Sequence, residues 1–197
     1  MNTPRTATVS RKTKETDISL TLNLDGTGES RIDSGVGFFD HMLTGFARHG
    51  LFDLTLSCIG DLQVDSHHTV EDCGIVLGTA IKEALGDKAG IRRFGSAILP
   101  MDEALVLCAI DLSGRAYFCS DLAFRNPMLG TMQTQMVKEF FYALSSAAGM
   151  NLHFQMIRGE NDHHICECAF KAFAKALDQA TQADPRVSGV WSTKGSL

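Results

Sequence analysis

The sequence predicts an α+β fold made of two similar halves, each a small sheet with two helices packed on one face. Three observations predict it. Stretches that alternate apolar and polar residues, as half-buried strands do, are interleaved with stretches whose apolar residues fall at helical spacing. The order β-β-β-α-β-α runs through the chain twice. Finally, the pattern HHxxE opens a helical stretch in each half: His67, His68 and Glu71 match His163, His164 and Glu167 with no slip between the pair and the glutamate.

In the first half, TATVSRKT and ETDISLTLNL alternate, DGTGE makes a turn, and SRID gives a third strand. GVG breaks the chain. FFDHMLTGFARHG then spaces Phe38, Phe39, Met42, Leu43 and Phe46 as a helix does, with Gly50 as its stop. LFDLTLSCIG alternates again, and SHHTVEDCGIVLGTAIKEAL is a long helix with Ser66 or Asp65 available to cap it. The second half repeats the order. SAILPMDEALVLCAIDLSG and RAYFCSDLAF give strands, TMQTQMVKEFFYALSSAAG a helix, MNLHFQMIRG a strand and DHHICECAFKAFAKALDQA a helix. The halves cover about 5–90 and 91–184 of one domain. The tail, DPRVSGVWSTKGSL, reads as a loop tied down by the only Trp.

The bulk numbers are those of a globular protein: 197 residues, 44% hydrophobic, 21% charged. A net charge of −5 offers no basic field for nucleic acid, so an anionic substrate must be met by local Arg and Lys. No apolar run is long enough to span a bilayer, and MNTPRTATVSRKTKE lacks the apolar segment of a signal peptide; a cytoplasmic protein is expected. The six cysteines form no C-x-x-C pair and read as reduced thiols, although Cys166 and Cys168 flank Glu167.

On a helix, residues four apart share a face, so His67 can grip a metal ion together with Glu71, and His163 with Glu167. His68 and His164 are rotated by about 100° and reach elsewhere. Each HHxxE helix can therefore serve two metals. Mixed imidazole and carboxylate ligands suit Mn, Fe or Zn rather than Mg or Ca. A lone HH pair is more often surface or cap, but two matched pairs at helix starts point to ligands. His41 in the first helix, and Glu139 in the counterpart region of the second half, complete a set of four ligands for each of two ions. Such a set leaves positions open for substrate on an octahedral ion.

DSGVGFFDHML, DSHHTVEDCG, MDEAL, DLSGR, ENDHHICECAFKAFAKAL and the terminal STKG together resemble the imidazoleglycerol-phosphate dehydratase family, from Glu15 to Lys194. The resemblance implies helices held between two four-stranded sheets. It implies a hydro-lyase of L-histidine biosynthesis that converts D-erythro-imidazole glycerol phosphate to imidazole acetol phosphate. It implies Mn²⁺, two ions per active site, and self-association to a 24-mer built from trimers, with the manganese sites completed between subunits. Carried over by position, the ligands are His41, His67, His68, Glu71, His163, His164 and Glu167. Glu139 stands where the family often has histidine, and carboxylate can ligate Mn too. The substrate contacts fall on Glu15, His49, Arg93, Arg115, Lys171, Ser192 and Lys194, a set suited to a phosphate monoester.

By sequence alone, Arg92 and Arg93 also read as a solvated loop pair, Arg115 as a strand-edge charge, and His153 as structural; Asp102 and Glu103 border the site without an assigned role. The carbon that loses its proton has no carbonyl beside it, so the activation must come through the imidazole ring, a Lewis-acid task for bound metal. Glu15, Glu71 and Glu167 are the candidates for proton transfer. Two other classes fit the ligands less well. A dinuclear phosphate-ester hydrolase would use a metal-bound hydroxide. A metal-storage protein of the ferritin kind would carry Glu-x-x-His on bundle helices, and its phosphate-type residues would be idle.

Overall fold

The computed structural model describes residues 5–197. Ten strands and four helices follow in the order β1 (Thr6–Lys12), β2 (Thr16–Asn23), β3 (Ser30–Asp33), α1 (Gly37–Gly50), β4 (Asp53–Gly60), α2 (His67–Leu85), β5 (Phe94–Met101), β6 (Ala104–Asp111), β7 (Tyr117–Ser120), β8 (Met128–Leu129), β9 (Met132–Gln133), α3 (Gln135–Ala148), β10 (Asn151–Arg158) and α4 (Asp162–Thr181). The first sheet runs β1-β2-β4-β3 and the second β5-β6-β10-β7. In each, the strand between the two helices lies antiparallel to its inner neighbour and parallel to the short edge strand. The topology is thus the same twice. The short hairpin β8–β9 is the one element that the residue pattern did not suggest, because two-residue strands carry no alternation to read.

The alternation in β2 buries Ile18, Leu20 and Leu22 against the helices and leaves the intervening residues out. In β6 the buried set is Ala104, Val106, Cys108 and Ile110. Helix α2 lies on β1 and β2, and α4 lies on β5 and β6. Across the middle α2 packs on α3 and α1 on α4, so all four helices form one layer between the sheets.

Phenylalanines fill that layer. Phe39 of α1 meets Phe140 of α3 edge to face at 5.2 Å between ring centroids, Phe140 stacks on Phe170 of α4 at 5.3 Å, and Phe46 stacks on Phe173 at 5.4 Å. The α2–α3 approach is backbone-close. A Cβ on Gly74 would sit 2.7 Å from the carbonyl oxygen of Phe140, so the spacing requires glycine there.

Helix α1 does not stop as the sequence suggested. Gly50 remains helical and buried, and Leu51 takes the left-handed conformation at φ 58°. The glycine is needed for space instead, because a side chain there would run into the ring of Phe52. Asp72, next to Glu71, is buried and accepts from Arg11 of β1 and from Thr16 Oγ1 of β2 at 2.5 Å, which ties α2 to its sheet. The tail is tied down through its backbone: Val190 bridges Ala89, and Gly90 N donates to Gly189 O at 2.8 Å. No helix among the described residues is long and apolar enough to cross a membrane.

Candidate active site

Both HHxxE segments begin helices, and the two starts are capped by nearby acceptors. Asn161 Oδ1 accepts from His163 N at 2.9 Å and His164 N at 3.4 Å. At α2 the residue in the cap position is Ser66, but Asp65 Oδ1 takes the His67 N–H at 2.7 Å. These caps fix the first turn, and the first turn carries the histidines.

The tightest grouping joins α1 to α4. His41 Nε2 lies 3.4 Å from Glu167 Oε2, and His163 Nε2 lies 3.1 Å from the same oxygen. Among the described residues, His41, His163 and Glu167 are the three that bring ligand atoms within 4.8 Å of one another. The other oxygen, Oε1, is held by Lys171 Nζ at 2.6 Å. Burial would raise the Glu167 carboxyl, but the hydrogen bond and charge of Lys171, with His163, outweigh it and keep the group below its ordinary value. Phe38 walls this cluster, its ring 5.2 Å from that of His163 and 6.5 Å from that of His41. About two turns past His41 on α1, His49 lies close enough to Lys171 to feel its charge; partial desolvation, then the Lys171 charge, lower its pKa. The cluster therefore sets imidazole and carboxylate groups beside a lysine ammonium.

The other positions are spread out. His67 Nε2 and Glu71 Oε2 form a pair at 3.6 Å on the first turns of α2. His68 faces the β1–β2 turn, with Nε2 3.8 Å from Glu15 Oε1 and Nδ1 3.0 Å from Asp61. His164 faces the β5–β6 turn, with Nε2 3.7 Å from Asp102 and Nδ1 2.7 Å from Glu103. These bonds raise the pKa of His68 and of His164, and that to His164, with the Asn161 N–H, holds the Glu103 carboxyl down to about 2. Glu139 lies on α3, half-buried, in the wall of a cavity of about 340 Å³ shared with Phe118, Lys138 and Phe141.

Arg93, at φ 65°, spends its guanidinium on Asp111 at 2.7 and 3.1 Å and on the carbonyl of Trp191 at 2.8 Å. Arg115 is exposed in the β6–β7 loop. Ser192 Oγ accepts from Lys194 N at 3.2 Å in the tail, whose anchor to Arg93 brings these three residues into one neighbourhood. His153 is stacked on Tyr117 at 5.6 Å, a sheet contact. Cys166 and Cys168 are buried; burial raises both thiols, and Cys168 Sγ donates to Leu99 O, so they pack and do not join the ligands.

Asp61 and Phe38 had no signal in the residue pattern as site residues. Asp61 lies in a loop seven residues ahead of His68, and Glu103 meets His164 across sixty-one residues of chain. A carboxylate in a turn next to a histidine pair is a sign that can be searched for. An aromatic wall shows itself only once α1 and α4 are docked.

What the arrangement offers is a set of imidazole and carboxylate donors beside a lysine, and the chain as a whole is similar to known proteins. Residues 34–177 match the family model described as imidazoleglycerol-phosphate dehydratase. The imidazoleglycerol-phosphate dehydratase of Lachnoclostridium phytofermentans is 64% identical over 193 residues, 98% of each chain. That of Acetivibrio thermocellus is 60% identical over 189 residues, 96% of this chain and 97% of the relative. The crystal structure of the Staphylococcus aureus enzyme superposes with a TM-score of 0.83 at 36% identity, covering 91% of this chain and 99% of that one. A structure of the Pyrococcus furiosus IGPD in complex with (S)-C348 gives the same score at 39% identity, covering 96% and 100%. The chain belongs to the imidazoleglycerol-phosphate dehydratase family, hydro-lyases that dehydrate imidazoleglycerol phosphate in histidine biosynthesis.

Proposed function

We propose that this chain dehydrates D-erythro-imidazole glycerol phosphate to imidazole acetol phosphate with two Mn²⁺ ions per active site, and that the sites are completed by further copies of the chain in a 24-mer. The observation that carries this reading is the grouping of His41, His163 and Glu167 within 4.8 Å. Two imidazole nitrogens and a carboxylate suit manganese, iron or zinc, so the donor set fits the ion. His67 and Glu71 offer a second pair, while His68, His164 and Glu139 lie apart from both groups, so one chain does not surround an ion by itself. Ligands from a neighbouring copy supply what is missing.

Manganese, when bound, supplies Lewis acidity to the imidazole ring of the substrate. The chain's own groups do the rest. Lys171, His49, Arg115, Ser192 and Lys194 gather charge and hydrogen bonds for the phosphate monoester, while Arg93, paired with Asp111, anchors the tail that carries Ser192 and Lys194. In this reading Glu15 takes the carbon-bound proton, a role supported by a carboxylate more than half exposed and near His68 Nε2, while Glu71 and Glu167, each paired with a histidine of its own helix, serve as ligands. Loss of that proton and of the neighbouring hydroxyl gives an enol, which tautomerises to the ketone.

The test is turnover of imidazole glycerol phosphate by metal-stripped protein with and without added Mn²⁺. Product formed only with the metal is the expected result. Equal turnover by stripped protein would end the metal-dependent reading.

A further inference from the structure

Each histidine pair has one member held by a carboxylate from outside its own helix. In the first half both oxygens of Asp61, in the loop between β4 and α2, lie 3.0 and 3.1 Å from His68 Nδ1. In the second half Glu103 Oε2, in the β5–β6 turn, lies 2.7 Å from His164 Nδ1. An ionised carboxylate has no proton to give, so each bond requires the proton on Nδ1. The neutral ring then carries its lone pair on Nε2. In both halves Nε2 faces away from the supporting acid and toward a hairpin-turn carboxylate, Glu15 or Asp102.

The two supports come from different places in otherwise equivalent halves. Asp61 follows the strand that leads into α2, whereas Glu103 sits in the turn of the first hairpin of its half. The same bond to the same ring nitrogen is therefore made by two unrelated loops. Shared topology does not produce that coincidence, but a common demand on His68 and His164 does.

We propose that Asp61 and Glu103 are positioning residues: each fixes the tautomer and ring orientation of its histidine so that Nε2 is presented to metal. The proposal rests on the metal-dependent reading given above and extends it to residues outside the ligand set. Glu103 has a second task, since its Oε1 accepts from Glu160 N at 3.2 Å and from Asn161 N at 2.7 Å. Among the described residues the Asp61 carboxylate bonds to His68 alone, which makes it the cleaner position to test.

The experiment titrates Mn²⁺ into the metal-stripped full-length protein and follows free Mn²⁺ by electron paramagnetic resonance, with thermal melting of the metal-free protein as the check on folding. Asp61→Ala is expected to bind about 10–100-fold more weakly than wild type at an unchanged melting temperature. Asp61→Asn keeps an acceptor oxygen and should fall between the two. If Asp61→Ala does not fold, Asp61→Asn takes its place, with a several-fold loss expected. Wild-type affinity in the folded variant overturns the proposal. Absence of Mn²⁺ binding by wild type itself overturns the reading beneath it, and the two failures are told apart by which protein shows them.

Discussion

The ammonium of Lys171 stands 2.6 Å from Glu167 Oε1, one helical turn away, while the other oxygen of the same carboxylate faces His163 and His41. Glu167 is thus divided between a cation of its own chain and a pair of imidazoles. The lysine thereby fixes the orientation of a carboxylate whose free oxygen faces two imidazoles. Lys171→Met is expected to raise KM for the phosphorylated substrate by about 10–100-fold, the loss of one charge-assisted hydrogen bond of roughly 1.5–3 kcal/mol. Steady-state kinetics at saturating Mn²⁺ measures it; an unchanged KM would assign Lys171 to Glu167 alone.

If the proposed metal sites are right, Glu71→Gln and Glu167→Gln should lose bound metal and activity together, because each carboxylate pairs with the HHxxE histidine four residues before it on the same helix face. Metal content by elemental analysis and initial rates settle it. Either variant retaining full metal and full rate would be incompatible with its assigned role.

Glu15→Gln should behave differently. Its carboxylate approaches His68 at 3.8 Å without joining a ligand group, so the expected result is a kcat lower by about 10²–10⁴-fold with Mn²⁺ binding retained. Loss of metal along with rate would make Glu15 a ligand instead of a proton acceptor.

The acid stability of the metal-free protein should carry the mark of Glu103. Its carboxyl falls from an ordinary 4.5 to about 2 through His164 and the Asn161 N–H. A depressed carboxyl stabilises the fold fully above 4.5, and that contribution is lost as pH falls through the folded value near 2. The gap in melting temperature between wild type and Glu103→Gln should therefore shrink as pH is lowered across that window. A gap that stayed constant down to pH 2 would contradict the shift.

Gly74→Ala tests the helix layer. The added methyl would press on the Phe140 carbonyl, and backbone cannot step aside as a flexible side chain can. A loss of about 1–3 kcal/mol in denaturant unfolding is expected. A neutral result would mean that α2 and α3 separate easily.

Much of this fold could be read from periodicity. Strand β2 stands where alternation put it, burying every second residue, and both HHxxE helices stand where helical spacing put them. The hairpin β8–β9 and the Leu51 stop were not legible: the first is too short to have a period, and the second depends on the Phe52 ring that excludes a side chain from Gly50. At the site, local spacing exposed His67 with Glu71 and His163 with Glu167. His41 was a candidate, but that it reaches Glu167 in particular, or that Arg93 is occupied by Asp111 and Trp191, could not be read, since these are facts of docking.

A chain with an internal seam is often one that can be cut there. Here the seam runs through Phe39, Phe140 and Phe170, so neither half owns its own interior. A fragment ending near Gly90 would leave Phe39 and Phe46 facing water, and the complementary fragment would do the same with Phe140 and Phe173. Each would be a sticky, open-faced sheet whose natural cover is the other. In the present protein the two halves sit in one chain and each serves as the other's cover.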